Sequence, residues 1–170
     1  MIKRDLELHR LNTHSESRVQ MAANRAAEHL FRYQGQVGLH AIMGGVDVKG
    51  PQLMEISNDG NHYQGNFLTM GSGSLAAMGV FESEYKENMT EEEAVTLVTK
   101  AIEAGIYHDL GSGSNVDVSI IKKGKVDYLR NLKSDNKKMW SKPDGYKFHK
   151  DRVNVLATYV DQGVLAVSNE

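Results

Sequence analysis

The stretch from Thr90 to Ser114 constrains the fold more than any other. Thr90-x-x-Glu93 is a capping box: the threonine hydroxyl takes the Glu93 amide and the glutamate reaches back to the threonine amide. The acidic run Glu91-Glu92-Glu93 suits the positive end of a helix and reads as a solvated helix start. Ala94, Leu97, Val98, Ala101, Ile102, Gly105 and Ile106 then recur at the spacing that puts them on one helical face. Alanine and glycine keep that face narrow, so the helix must pack closely against something flat. It runs out into Asp109 and the tetrapeptide Gly71-Ser72-Gly73-Ser74 has its exact copy there, Gly111-Ser112-Gly113-Ser114. The first copy opens a second helical stretch, 74–85, whose apolar face reads as Leu75, Met78 and Phe81. Two such loops flanking one helix pair could bring Ser72, Asp109 and Ser112 to one small polar site.

The remainder reads as scaffold. Leu6, Leu8 and Leu11 sit among charges with no cap or turn before them, as if the chain begins inside a helix. Ser15 or Ser17 is the expected cap of a following helix carrying Val19, Ala22, Ala23, Ala26, Leu30 and Tyr33, which Gly35 closes. The run 37–43 is almost wholly apolar and predicts a strand buried on both faces, ended or bulged by Gly44-Gly45. Residues 52–57 are its hairpin partner, Asn58-Asp-Gly-Asn61 is a turn, and 66–70 is a third strand delivering the first glycine–serine loop. Residues 115–122 and 126–129 form a second hairpin about Lys123-Gly124. From 131 to 150 the chain is polar and lysine-rich, and reads as a surface loop. Residues 153–167 alternate weakly as a terminal strand or arm. Helix pairs alternating with antiparallel hairpins imply α+β layers, sheets covered by helices.

Composition closes off several classes. At 170 residues the chain is one domain or most of one, large enough to bury a core. A net charge of −2 gives no bulk pull toward nucleic acid or a membrane surface, and the lysines of 131–150 have little of the aromatic interleaving of a nucleic-acid site. There is no cysteine, hence no disulfide or thiolate metal site, which fits a reducing compartment. No stretch approaches the ~20 apolar residues of a membrane span, and the opening residues have no signal-like apolar core. Cytoplasm and nucleus both remain open.

Familiar chemical motifs are missing. There is no phosphate loop, no Gly-x-Gly-x-x-Gly, no His-Glu-x-x-His and no Gly-x-Ser-x-Gly. The seven histidines show no ligand spacing, so neither a metal nor another cofactor is expected. What remains is Asp109 with Ser72 and Ser112. A carboxylate hydrogen-bonded to hydroxyls can orient and shuttle a proton for a nearby nucleophile. Asp109 could instead cap a loop and the serines fill turns, and from spacing alone that structural reading prevails.

Four longer motifs add to this. Phe31-Arg-Tyr-Gln-Gly35, Gly44-Gly-Val-Asp-Val-x-Gly-Pro51, Leu68-Thr-Met-Gly-Ser-Gly-Ser-Leu-Ala-Ala-Met78 and Ala104-Gly-Ile-x-x-Asp-Leu-Gly-Ser-Gly-Ser-Asn115 occur in that order. Together they closely resemble the proteasome beta subunits of the type-7, trypsin-like class, from about residue 6 to 130 and more loosely beyond. The resemblance implies an αββα sandwich of the N-terminal-nucleophile hydrolase type, a domain over 1–152, and a C-terminal arm over 153–170 packing on a neighbouring subunit. It implies a threonine-type endopeptidase cleaving after basic residues in ATP- and ubiquitin-dependent degradation. The expected partners are other proteasome alpha and beta subunits and an unfolded polypeptide substrate, with no nucleic acid and no membrane. Ser72, Asp109 and Ser112 match the family's supporting residues, which hydrogen-bond the nucleophilic threonine's amine and hydroxyl so that the amine acts as general base.

One departure matters. The family's nucleophilic threonine, with its aspartate and lysine, lies early in the mature chain, and no position here matches them. Thr13 is the earliest threonine, and nothing around it resembles a processed active-site terminus. The expectation is a fold incomplete at its N-terminus, carrying the supporting half of a site, inactive by itself and poorly soluble for want of covering strands. The rival expectations are a non-catalytic structural or assembly subunit and, more remotely, a free-standing anion-binding domain.

Overall fold

The computed structural model describes residues 1–134, 138–148 and 155–159. The chain divides into two units, 1–138 and 139–170. The first holds α1 (Ile2–Thr13), α2 (Val19–Arg32), β1 (Ala41–Asp47), β2 (Gly50–Ile56), β3 (His62–Gln64), α3 (Ser74–Glu84), α4 (Glu91–His108), β4 (Val116–Lys122) and β5 (Lys125–Lys133). The sheets are antiparallel, β1-β2-β3 and β4-β5. Met43 stands opposite Met54 in the first, and the second carries an irregularity between Val116 and Val118.

Each sheet is covered by a helix whose small residues permit close approach. Ala23, Ala26 and Leu30 of α2 bury against Met54 and Ile56 of β2, with Val19 and Met43 at the margin. Ile106 of α4 buries against Val116 and Val118 of β4, with Val95 and Leu129 alongside. The sheets also meet each other, since a methyl group on Gly44 of β1 would lie 3.2 Å from Ile121 Cδ1 of β4. The order helix, sheet, sheet, helix is the expected αββα layering.

Several local expectations are corrected. Neither Ser15 nor Ser17 caps α2. Its N-cap is Arg18 with no side-chain cap bond, and the Val19 amide donates instead to Asp47 Oδ2 at 2.9 Å, from the far end of β1. The predicted strand at 37–43 begins only at Ala41, and it is half-buried rather than buried on both faces. Gly44 and Gly45 do not end it; they lie inside it, because a methyl group on Gly45 would come within 2.5 Å of Val19 Cγ2. The third strand is 62–64, whereas 66–70 is irregular. In α3 the buried residue is Ala77, and Leu75 is 87% exposed. The capping box of α4 is present, with both reciprocal bonds made.

Among the described residues of the second unit there is no helix or strand. Gly145 N–H donates to Lys142 O at 3.0 Å in a turn, and the Lys142 ammonium stands 5.9 Å from the Tyr146 ring centroid. The boundary expected between 152 and 153 lies outside the described residues. So does the arm, apart from 155–159, where Val155, Leu156 and Tyr159 are exposed.

Candidate functional site

The close approach of the two helices fixes the site. A methyl group on Gly73, just before α3, would lie 3.1 Å from Gly105 Cα in the last turn of α4. Glycine at position 73 lets the two backbones come so near. Asp109 is the C-cap of α4, its amide donating to Gly105 O at 2.9 Å. The chain then turns, with Ser112 N–H donating to Asp109 O at 3.3 Å.

This geometry brings all three expected residues together. Ser72 Oγ donates to Asp109 Oδ2 at 2.6 Å, across the helix pair. Ser112 Oγ donates to the same oxygen at 2.5 Å. Gly111 N–H donates to Oδ1 at 3.3 Å. The two serines and the glycine thus supply three donors to one carboxylate, two on Oδ2 and one on Oδ1. Hydrogen bonds from Ser112 and then Ser72 hold the Asp109 carboxyl below the usual aspartate range, with smaller help from the Gly111 amide and the Lys138 charge, while desolvation opposes them. A carboxylate that accepts from two hydroxyls can fix their orientation and leave each hydroxyl oxygen's lone pairs for another group.

The serines open onto an apolar cavity of about 990 Å³ between the helix pair and the sheets. Leu53, Phe67, Ala77, Phe81, Leu97 and Ile106 contribute to its walls. Phe67 packs on Phe81 and Tyr85, with ring centroids 5.7 and 4.9 Å apart. Among the described residues no group of three or more histidines and carboxylates is placed to hold a metal ion, and no helix is long and apolar enough to cross a membrane.

One further residue of the site carries no signal in the sequence. Lys138 Nζ donates to the backbone carbonyls of both Asp109 and Ser112, the latter at 3.3 Å. It stands in a lysine-rich stretch where no spacing singles it out from its neighbours.

Residues 1–121 match the family model described as "Proteasome subunit". The chain is 47% identical over 160 residues, 94% of its length, to proteasome subunit beta type-7-B of Arabidopsis thaliana. It is 46% identical over 157 residues, 92% of its length, to proteasome subunit beta type-2 of Saccharomyces cerevisiae. To proteasome subunit beta type-10 of Bos taurus it is 41% identical over 160 residues. The alignments span 58%, 60% and 58% of these three relatives, so the chain covers little more than half of each.

Proposed function

Because the chain belongs to the proteasome subunit family, with the N-terminal-nucleophile hydrolase fold as its frame, we propose that it serves as a beta subunit of the proteasome core and contributes the supporting half of a threonine-type peptidase site. The observation that carries this reading is the convergence of Ser72 and Ser112 on one Asp109 oxygen, at 2.6 and 2.5 Å. A nucleophilic hydroxyl with its own amine as base needs fixed hydrogen-bonding groups beside it and little else. In this reading the threonine comes to the cluster from outside residues 1–170. The substrate is unfolded polypeptide cut after basic residues. The partners are neighbouring alpha and beta subunits, and the compartments are cytoplasm and nucleus.

A second reading is a subunit that assembles without cutting. It is favoured by the span of the Ser72–Asp109 bond, which ties the start of α3 to the end of α4 and so can serve as a structural brace.

Co-expression with the other core subunits separates the two. The measurements are incorporation into the particle and hydrolysis of a fluorogenic peptide with a basic residue before the cut. Incorporation with hydrolysis that falls in Asp109→Asn supports the catalytic reading. Incorporation with hydrolysis indifferent to Asp109→Asn leaves the assembly reading, and failure to incorporate removes both.

A further inference from the structure

A carboxylate at the C-terminal end of a helix is badly placed. The last carbonyls of a helix lack intrahelical partners, and they concentrate partial negative charge there. Asp109 sits at that end of the 18-residue α4. Two hydroxyls and one amide answer its charge, but these are dipoles. Lys138 brings a full positive charge to the same turn.

Its contacts are specific. Asp109 O accepts from the Ser112 amide at 3.3 Å and from Lys138 Nζ as well. Ser112 O accepts from the same ammonium at 3.3 Å. One side chain, 29 and 26 residues along the sequence, thus ties the first and last carbonyls of a turn that contains a glycine. Apart from it, the turn's backbone amides make long bonds of 3.3 Å, Ser112 N–H to Asp109 O and Gly111 N–H to Asp109 Oδ1, beside the 2.5 Å bond of the Ser112 hydroxyl that the turn has to aim. Lysine near a helix C-terminus commonly bonds the last carbonyls. Here it bonds the turn that aims Ser112 at the carboxylate.

We propose that Lys138 is the positioning residue of the Asp109 cluster, a strap whose ammonium clamps the 109–112 turn so that the Ser112 hydroxyl meets Asp109 Oδ2. The strap rests on the catalytic reading above only for its consequence in turnover; its effect on the turn is independent. It touches backbone carbonyls, so its influence on chemistry passes through the geometry of Asp109 and Ser112. Bonds to charged donors are stronger than neutral ones, and methionine at 138 removes them while filling similar volume. Arginine keeps the cation and its donors.

The test uses the full chain in the assembly with which it purifies, comparing wild type, Lys138→Met and Lys138→Arg. Amide hydrogen exchange is read in the 109–115 segment, with 91–104 of α4 as the folding control. Lys138→Met should speed exchange at 110–114 by about tenfold, the loss expected for a charge-assisted bond. Exchange in 91–104 should stay unchanged, and Lys138→Arg should return 110–114 toward wild type. Peptide hydrolysis in the same particles should show kcat lowered by about tenfold with KM unchanged in Lys138→Met, because alignment rather than binding is lost. Wild-type exchange in Lys138→Met overturns the strap, and so does an arginine variant as fast as the methionine one. Altered exchange with unaltered kcat overturns the positioning role. Absence of hydrolysis in wild type, with exchange behaving as expected, overturns the catalytic reading and leaves the strap standing.

Discussion

Gly73 and Gly105 face each other across the α3–α4 contact, yet adding a methyl group to them should have opposite effects. At Gly105 the methyl would lie 3.5 Å from Gly73 O and 3.8 Å from Gly73 Cα, ordinary contact distances. Gly105 lies inside α4, where alanine is favoured over glycine by about 0.8–1 kcal/mol. Gly105→Ala is therefore expected to stabilise the chain by nearly that amount. At Gly73 the methyl would lie 3.1 Å from Gly105 Cα and 3.5 Å from Asp109 Cβ. The first of these is backbone and cannot rotate aside, so the start of α3 must retreat by a few tenths of an ångström. Overpacking of this kind costs about 1–3 kcal/mol. With a urea slope of about 2 kcal/mol/M, the two variants should move the unfolding midpoint by roughly half a molar up and half a molar or more down. Urea titration followed by helical circular dichroism reads both. Ser72 precedes Gly73, so Gly73→Ala should also stretch the Ser72–Asp109 bond and lower any hydrolysis the particle shows. A destabilising Gly105→Ala, or a neutral Gly73→Ala, would refute the reasoning.

Other outcomes follow from single groups. Thr99 Oγ1 is buried with no hydrogen-bond partner among the described residues, so Thr99→Val, nearly the same shape, should raise stability by about 1 kcal/mol in the same titration; a loss would mean the hydroxyl is satisfied. Thr90→Ala removes the exposed capping box of α4 and should cost about 1 kcal/mol, checked by the urea midpoint, whereas Thr90→Ser should cost less. The Asp109 carboxyl is held below its ordinary value near 3.8, so its stabilising contribution is complete above that pH and is lost as pH falls through the lower folded value. Urea midpoints measured downward from pH 6 or so should therefore fall more steeply below about pH 4 in wild type than in Asp109→Asn, and parallel curves would contradict the assignment.

What could be read from the sequence was whatever is decided within a turn or two. The α4 start was legible because Thr90 and Glu93 satisfy each other across three residues. The cluster was legible as a possibility, since Ser72, Asp109 and Ser112 are chemically apt residues at the mouth of one helix pair, though only the 3.1 Å approach of Gly73 to Gly105 decides that they meet. Partners distant in sequence were not legible. Gly44-Gly45 looks like a strand end, and it lies inside β1 because Val19 and Ile121 press on that strand. Residues 37–40 are as apolar as a strand, but the ladder starts where Ala41 finds Ile56. In α3 apolar residues surround the helix, so periodicity could not choose Ala77 over Leu75 as the buried one. Lys138 gave no signal, because its role depends on two carbonyls far away in sequence.

The Asp47 cap has a consequence in time. The start of α4 is secured by residues three apart, so that helix can complete its own first turn while the rest of the chain is still unfolded. The start of α2 is secured by a carboxylate 28 residues downstream, which also accepts from the Lys49 amide at 2.7 Å and the Gln52 side chain at 3.0 Å. That carboxylate is in place only after the β1–β2 hairpin has closed, and closing the intervening loop carries its own entropic delay. The two helical layers should thus mature in sequence, α4 early and α2 with its sheet. Pulsed hydrogen exchange during refolding should find the amides of α4 protected before Val19.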